Sequence, residues 1–182
     1  MAEKKPAKAP HPPPAEPARV RTVRWLDPMV VAAPAHELSG IDFLQKIAKG
    51  DLPAPPIAEL LGLRLVSVAP SAAVFEFDPA EFMYNPIGSV HGGIVTTLLD
   101  SAMGCALHTT LPAGVIYTTL ELKVNFVRPV VESSGALRAE GKLVHRGASV
   151  STAEARLVDR GGTLFAHATS TLLILRGAVP PP

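Results

Sequence analysis

The sequence predicts an α+β fold in which an antiparallel β-sheet of about six strands wraps around one long central helix. Three features support this architecture. Short segments of alternating apolar and polar residues, separated by turn residues, occur twice before residue 80 and four times after residue 115. Between them lies one long helical pattern, from about Gly92 to Leu107. Short connections favour antiparallel pairing, and a helix with a broad apolar face must bury it on the sheet.

The helical pattern begins directly after a loop. Residues 84–91 are rich in turn-forming residues, and the paired glycines Gly92 and Gly93 follow them. We expect these glycines to leave backbone N–H groups uncovered at the helix start, where they can polarise a carbonyl or hold an anion. Such a helix start is half of an oxyanion site for acyl transfer. The apolar face is predicted to comprise Ile94, Val95, Leu98, Leu99, Ala102, Met103 and Ala106.

A stripe of small and polar residues runs along the same helix, away from the apolar face. Gly93, Thr97, Asp100 and Gly104 fall at i, i+4, i+7 and i+11, so a strand, a second subunit or a ligand can approach closely there. Asp100 is the candidate base or nucleophile. It lies roughly 10 Å along the helix from Gly93, at about 1.5 Å per residue, which is too far for both to touch one reacting carbon. A site between two copies of the helix would remove this difficulty.

The composition limits the functional classes. The chain has 182 residues, a formal net charge of +1 and a single cysteine, Cys105. The small net charge gives no indication of nucleic-acid binding, and one cysteine can form neither an intramolecular disulfide nor a multi-thiolate metal site. Cys105 lies among apolar helix residues, so we expect a buried, unreactive thiol. The histidines show no metal-ligand spacing, and we predict no metal site.

The sequence also predicts location and domain organisation. No apolar signal-peptide core follows the first residues, and no run reaches the roughly 18 apolar residues of a membrane span, so we expect a cytoplasmic protein without membrane contact. The predicted segments are a disordered or loosely docked extension (1–40), a short helical lead-in with a proline-rich linker (41–59), the main domain (60–176) and a C-terminal tail (177–182).

The strand pattern predicts both the sheet and its need for a partner. The predicted strands are 63–68, 73–77, 117–127, 137–146, 150–158 and 164–175. One helix cannot cover both faces of six strands or satisfy the sheet edges, so we expect a homo-oligomer. In the third strand, alternation places Thr119 on one face with Glu121 and Asn125, opposite Leu120.

Three segments together resemble a known group of enzymes. They are Asn-Pro-Ile-Gly-Ser-Val-His-Gly-Gly at 85–93, Leu-Leu-Asp at 98–100 and the strand from Thr119 to Pro129. The combination is similar to that of the hotdog-fold acyl-CoA thioesterases of the phenylacetate-pathway (PaaI-like) group, over about residues 60–175. The resemblance implies the hotdog fold, an antiparallel sheet wrapped round one long helix. It also implies hydrolysis of an acyl-CoA thioester to free acid and coenzyme A, in a dimer or dimer of dimers. No separate cofactor is expected, since coenzyme A is part of the substrate.

The resemblance assigns roles to residues of the central segment. Asp100 matches the helix carboxylate that activates water as general base or attacks as nucleophile. Gly92 matches the glycine whose backbone N–H polarises the thioester carbonyl, and in this group the two come from opposite subunits. Asn85 and His91 match residues that hold the catalytic loop and the thioester end of the substrate. For His91 we favour orientation over proton transfer.

Further roles fall on strand and turn residues. Thr119 matches a serine or threonine that positions water or the carboxylate, and Thr118 is the alternative because the preceding turn varies in length. Coenzyme A carries phosphates and needs basic partners. Our candidates are Arg128 and the turn residues His145, Arg146 and Gly147.

Two other functions stay open from the sequence. An acyl-thioester dehydratase would share the fold, but it needs a histidine with a glutamate or aspartate, and the proline-rich histidine loop of that family is missing. A non-catalytic acyl-CoA-binding or regulatory module would keep the pocket without requiring Asp100. The presence of Asp100 favours the hydrolase. The sequence indicates neither acyl-chain length nor pathway.

Overall fold

A computed structural model describes residues 17–176 of the chain. The predicted tail before Pro17 and the tail after residue 176 lie outside the described residues. Within residues 17–176, no helix is both long and apolar enough to cross a membrane. The helices are α1 (Pro28–Ala32), α2 (Gly40–Lys49), α3 (Pro56–Leu61) and α4 (Gly92–His108). The strands are β1 (Arg64–Ala69), β2 (Ala72–Phe77), β3 (Ile116–Phe126), β4 (Leu137–Arg146), β5 (Val150–Val158) and β6 (Leu164–Leu175).

The six strands form one antiparallel sheet that packs against α4. Their order is β1-β2-β4-β5-β6-β3, so β1 and β3 are the edges. The predicted apolar face of α4 is buried except for half-buried Ile94, and Leu98, Leu99, Ala102 and Met103 have no exposed surface. Burying a leucine side chain contributes about 1.5–3 kcal/mol, so this face fixes α4 on the sheet. The predicted α+β architecture, an antiparallel sheet around one long helix, is confirmed.

The helix comes close to the sheet backbone at Gly141 of β4. A Cβ atom at this position would lie only 2.2 Å from the Ala102 carbonyl oxygen of α4. The absence of a side chain therefore lets the two backbones come together. This contact sets the depth at which α4 lies on the sheet.

Strand β3 contains a bulge that the alternating pattern did not reveal. Thr119 and Glu121 pair with consecutive residues of β6, so Leu120 has no partner. The extra residue reverses the alternation, as a bulge does. Thr119 is half-buried on the inner side with Leu122, whereas Glu121 and Asn125 are exposed. The predicted face of Thr119 was wrong, because parity holds only along an unbroken ladder.

The helices before the sheet belong to the same core. Phe43 and Leu44 of α2 and Ala58 and Leu61 of α3 are buried in the cluster that includes the apolar face of α4. Helix α2 is well delimited, because it begins at an N-cap side chain and ends at Gly50 in the left-handed conformation. The core therefore includes residues on both sides of the predicted boundary at residue 60.

Two arginine side chains anchor the segment before α1 to the surface of this core. Arg19 forms an ion pair with Glu81 at 3.1 Å. Arg21 donates a hydrogen bond to the Leu60 carbonyl and lies 4.0 Å from the centre of the Phe82 ring. These contacts give the predicted loosely docked extension specific anchor points.

Candidate active site

The loop before α4 is held closed by its own hydrogen bonds. The Asn85 side-chain oxygen accepts the Ile87 N–H at 3.0 Å, and the Asn85 N–H donates to the Ser89 carbonyl at 2.8 Å. The N–H of His91 donates to the Met83 carbonyl at 2.8 Å. This closed loop fixes the point at which α4 begins.

The start of α4 has one free N–H donor. His91 is the N-cap residue, and its Nδ1 accepts the Gly93 N–H at 2.9 Å. The Ile94 N–H donates to the His91 carbonyl at 2.9 Å. Among the residues that the structure describes, the Gly92 N–H has no acceptor. The sequence predicted several uncovered donors, but the His91 side chain covers one, and the positive end of the helix dipole is left with the Gly92 N–H.

The hydrogen bond to Nδ1 also defines the tautomer of the neutral His91 ring. Because Nδ1 accepts a hydrogen bond, the neutral imidazole carries its proton on Nε2. The hydrogen bond fixes the ring against the first turn of α4, and the role of His91 toward a substrate stays a prediction.

Gly92 lies in an open cleft of about 420 Å³, which Asn85 and Arg128 also line. The Phe126 ring lies next to Gly92, and a Cβ atom on residue 92 would be 3.1 Å from the ring. The Arg128 guanidinium donates to the Leu164 carbonyl, which holds it at the edge of the cleft. Three of the predicted site residues therefore share one cleft.

Asp100 forms a second group with strand β3. The Thr119 hydroxyl donates to Asp100 Oδ1 at 2.9 Å, and both side chains are half-buried. Hydrogen bonds to charged groups contribute about 1.5–3 kcal/mol, so this contact fixes the carboxylate orientation. Within residues 17–176, Asp100 Oδ2 has no hydrogen-bond donor. Thr118, the alternative, has an exposed side chain, so Thr119 is the threonine that meets the carboxylate.

The next turn of α4 also packs against β3. A Cβ atom on Gly104 would lie 2.4 Å from the Tyr117 hydroxyl. At this point the stripe of small residues therefore lets β3 of the same chain approach the helix closely. Burial raises the pKa of Cys105 to about 12, and the Asp100 charge adds to the increase while the neighbouring Tyr117 hydroxyl opposes it. The thiol is therefore protonated at neutral pH, as expected of an unreactive cysteine.

The other predicted phosphate-binding residues lie at the opposite end of α4. Arg146 donates from Nε to the Thr110 hydroxyl at 3.0 Å and from a terminal nitrogen to the Gly147 carbonyl, while His145 is exposed. Within one chain this turn does not join the Gly92 cleft, and its role toward coenzyme A stays a prediction. No group of three or more His, Cys, Asp or Glu side chains in the described part of the chain could hold a metal ion.

Two aromatic residues at these groups were not predicted from the sequence. Phe126 covers the Gly92 backbone, and Tyr117 fills the space beside Gly104. The signal for both was a glycine on a helix, which indicates a close neighbour without identifying it.

Comparison with known proteins places this geometry in a family. The thioesterase superfamily model matches residues 87–166, which contain the start of α4, Asp100 and Thr119. A Saccharolobus solfataricus protein named "putative esterase" is 32% identical over 126 residues, which cover 69% of this chain and 88% of that protein. The chain belongs to the thioesterase superfamily.

Two more similarities refine this membership. The 1,4-dihydroxy-2-naphthoyl-CoA hydrolase of Listeria monocytogenes is 24% identical over 118 residues, which cover 65% of this chain and 94% of that enzyme. The structure described as a "putative thioesterase, phenylacetic acid degradation-related protein" from Ralstonia eutropha aligns with a TM-score of 0.65. The two chains are 29% identical, and the alignment covers 71% of this chain and 98% of the Ralstonia chain. This member of the superfamily has the hotdog fold and a thioesterase-type hydrolase function, and the predicted resemblance to the PaaI-like group is confirmed.

Proposed function

We propose that this superfamily member is an acyl-CoA thioesterase, which hydrolyses a thioester to a free carboxylic acid and coenzyme A. The observation that carries the proposal is the hydrogen bond from Thr119 to Asp100, which orients a carboxylate on the central helix and leaves its second oxygen free. The coenzyme A part of the substrate is supported by the Listeria relative, which is named a CoA hydrolase.

In the proposed reaction, Asp100 acts as general base. Its Oδ2 accepts a proton from water while the water oxygen bonds to the thioester carbonyl carbon. The Gly92 N–H donates to the carbonyl oxygen as negative charge develops there, aided by the helix dipole. The carbon–sulfur bond then breaks, and the coenzyme A sulfur leaves as a thiolate that is protonated to the thiol. The alternative on the same residues is direct attack by Asp100, followed by hydrolysis of the mixed anhydride.

One chain cannot supply both groups to one carbonyl. Gly92 and Asp100 are eight residues apart on α4, about 12 Å at roughly 1.5 Å per residue. We infer a site in which Gly92 of one subunit faces Asp100 of another, in a dimer or a dimer of dimers. The exposed edge strand β3 carries exposed Leu120 and Phe126, which is consistent with coverage by a second subunit. Arg128, at the Gly92 cleft, is the proposed partner of a coenzyme A phosphate.

The test is release of coenzyme A thiol from short, medium and aromatic acyl-CoAs. Asp100→Asn keeps the size of the side chain but removes its basicity, so we expect kcat to fall by about 10²-fold or more. Asp51→Asn is the matched control, because Asp51 is an exposed aspartate that follows α2 and belongs to neither α4 nor β3. Unchanged turnover in Asp100→Asn would overturn the assignment of the base.

Other results would point to the alternatives. If the wild-type protein binds acyl-CoAs without hydrolysing any of them, the protein is a binding module. If it interconverts 3-hydroxyacyl and 2-enoyl thioesters without releasing thiol, it is a dehydratase. Either result rejects the thioesterase proposal for that panel.

A further inference from the structure

Strand β3 and helix α4 meet at two contacts that lie side by side. Tyr117 and Thr119 are at i and i+2 on β3, before the bulge, so their side chains share one face of the strand. Asp100 and Gly104 are at i and i+4 on α4 and share one side of the helix. Thr119 contacts Asp100, and Tyr117 fills the space beside Gly104. Along the helix, Tyr117 is therefore the next strand residue after the one that orients the candidate catalytic carboxylate.

Tyr117 occupies the space beside α4 one turn beyond Asp100. Its hydroxyl and two of its ring carbons would clash with a Cβ atom on Gly104. Its ring also packs on His108 of the following turn, with 5.7 Å between the ring centroids. Burial raises the pKa of the Tyr117 hydroxyl well above its usual range, and the charges of Cys105 and Asp100 add to the increase. The side of the helix that runs on from Asp100 is thus closed by a neutral, packed aromatic side chain.

The same ring separates Asp100 from an apolar pocket near the C-terminal end of α4. This pocket has a volume of about 250 Å³, and Val31 and His108 are among the residues that line it. Neither Asp100 nor Tyr117 lines it. Since Tyr117 packs on Gly104, between Asp100 and His108 along the helix, a group bound at the carboxylate cannot extend into this pocket.

The proposed two-subunit site determines the direction in which an acyl group can run. A twofold interface is reciprocal, so Gly92 facing Asp100 of a second subunit also places Asp100 opposite that subunit's Gly92. The two α4 helices then run antiparallel, and each covers the stretch of the other between residues 92 and 100. Gly104 lies outside this stretch, beyond the start of the opposing helix. From Asp100, an acyl group can therefore follow the helix only toward Gly104 and Tyr117.

We propose that Tyr117 is the end wall of the acyl-binding site and limits this enzyme to short acyl groups. The proposal rests on the thioesterase function proposed above, in which coenzyme A occupies the Gly92 cleft beside Arg128. Asp100 and Gly104 are about 6 Å apart along the helix at roughly 1.5 Å per residue, which leaves room for an acyl group of the size of butyryl or benzoyl. An octanoyl group extends further and meets the Tyr117 ring. The subunit that supplies the base thus also supplies the residue that selects the acyl group.

The test compares kcat/KM for acetyl-, butyryl-, hexanoyl-, octanoyl- and benzoyl-CoA. Tyr117→Ala removes the wall, so the ratio of kcat/KM for octanoyl-CoA to that for butyryl-CoA should rise at least about tenfold, the equivalent of roughly two newly buried methylenes. Tyr117→Phe keeps the ring and should keep the wild-type order. A wild-type enzyme that prefers octanoyl-CoA to butyryl-CoA would overturn the proposal.

A further control separates removal of the wall from loosening of the strand. Ile116 is the half-buried neighbour of Tyr117 on the opposite face of β3. Ile116→Ala also removes apolar volume from this strand, but it opens no space beside Gly104, so the wild-type order should be kept. If Tyr117→Ala does not fold, Tyr117→Leu, which loses less volume, takes its place with the same expected direction.

Binding of S-alkyl coenzyme A thioethers separates this inference from the proposed function, because a thioether has no carbonyl and cannot be hydrolysed. In calorimetric titrations, the wall variant should shift the ratio of Kd values toward S-octyl- and away from S-butyl-coenzyme A by at least about tenfold. If no thioester is hydrolysed but this shift appears, the thioesterase proposal fails and the end-wall inference stands. If thiol is released but the wall variant keeps the wild-type order in both measurements, the inference is overturned and the thioesterase proposal stands. Absence of both hydrolysis and binding rejects both.

Discussion

Gly92 and Gly104 are glycines on one helix with opposite surroundings. Gly92 starts α4 beside an open cleft, and its N–H has no acceptor among the described residues. Gly104 lies three turns further on, where the Tyr117 hydroxyl of β3 occupies the space that a side chain would take. Gly92 leaves the backbone accessible to a ligand, whereas Gly104 lets β3 pack closely against the helix.

This difference divides the helix by chemistry. The N-terminal end presents a polar donor in an open cleft, and the C-terminal end lies beside a less open, mainly apolar pocket. Asp100 lies between them and is oriented by Thr119. A single helix thus carries an unpaired N–H donor, an oriented carboxylate and an apolar-lined region along its length.

Mixing two inactive variants tests the open end of the helix most strongly. Gly92→Val and Asp100→Asn should each lose about 10²-fold or more in kcat, because a valine side chain blocks access to the N–H of residue 92 and asparagine removes the base. If the halves come from two subunits, a co-refolded mixture recovers about a quarter of wild-type activity, since half of the dimers are mixed and each has one intact site of two. The measurement is thiol release by the mixture.

The control for this mixing is Gly92→Val with the double variant Gly92→Val/Asp100→Asn. No dimer of this pair contains an intact site, so its activity should stay at background. A first mixture that also stays at background would contradict a site shared between two subunits.

Alanine substitutions at the two glycines sharpen the comparison. Gly104→Ala should lower the free energy of unfolding by about 1–3 kcal/mol, because its Cβ would overlap the Tyr117 hydroxyl. Adding Tyr117→Phe removes the nearest atom and should restore part of this loss. Gly92→Ala meets only the exposed Phe126 ring at 3.1 Å, so we expect a change of less than about 0.5 kcal/mol. Urea unfolding measures all three, and equal losses at both glycines would contradict the comparison.

The hydrogen bond between Thr119 and Asp100 gives the smallest expected effect on activity. Thr119→Val removes the hydroxyl that orients Asp100 and should reduce kcat about tenfold, the scale of a hydrogen bond of about 1.4 kcal/mol. Thr118→Val is the matched control, because Thr118 is the exposed neighbour on the same strand. A larger loss in Thr118→Val would mean that the alternative threonine serves the site. Steady-state thiol release decides between them.

Much of the fold could be predicted because its main signals are local. Alternation and turn residues gave the bounds of β4, β5 and β6, and the apolar period of α4 gave its buried face. The face of Thr119 could not be predicted, since the bulge at Leu120 arises from pairing with β6 and leaves no mark in the alternation itself.

The residues of the proposed site could be named from the sequence, but their grouping in the fold could not. The pattern around Gly92 and Asp100 identified both, and Thr119 does meet the carboxylate. The sequence could not show that the His91 ring would cover the Gly93 N–H, because capping depends on a side-chain rotamer. The apolar cavity behind Val31 was also hidden, since its walls come from six elements that meet only in the folded chain.

The bulge at Leu120 divides β3 into two segments whose side chains alternate in opposite phase. Residues before it, including Tyr117 and Thr119, face the central helix, and residues 121–126 continue the ladder with β6 in the opposite alternation. The unpaired residue absorbs the offset between them. A protein engineer could therefore redesign the outer segment to suit a new neighbour at the sheet edge, while the hydroxyl that steers the carboxylate keeps its alignment.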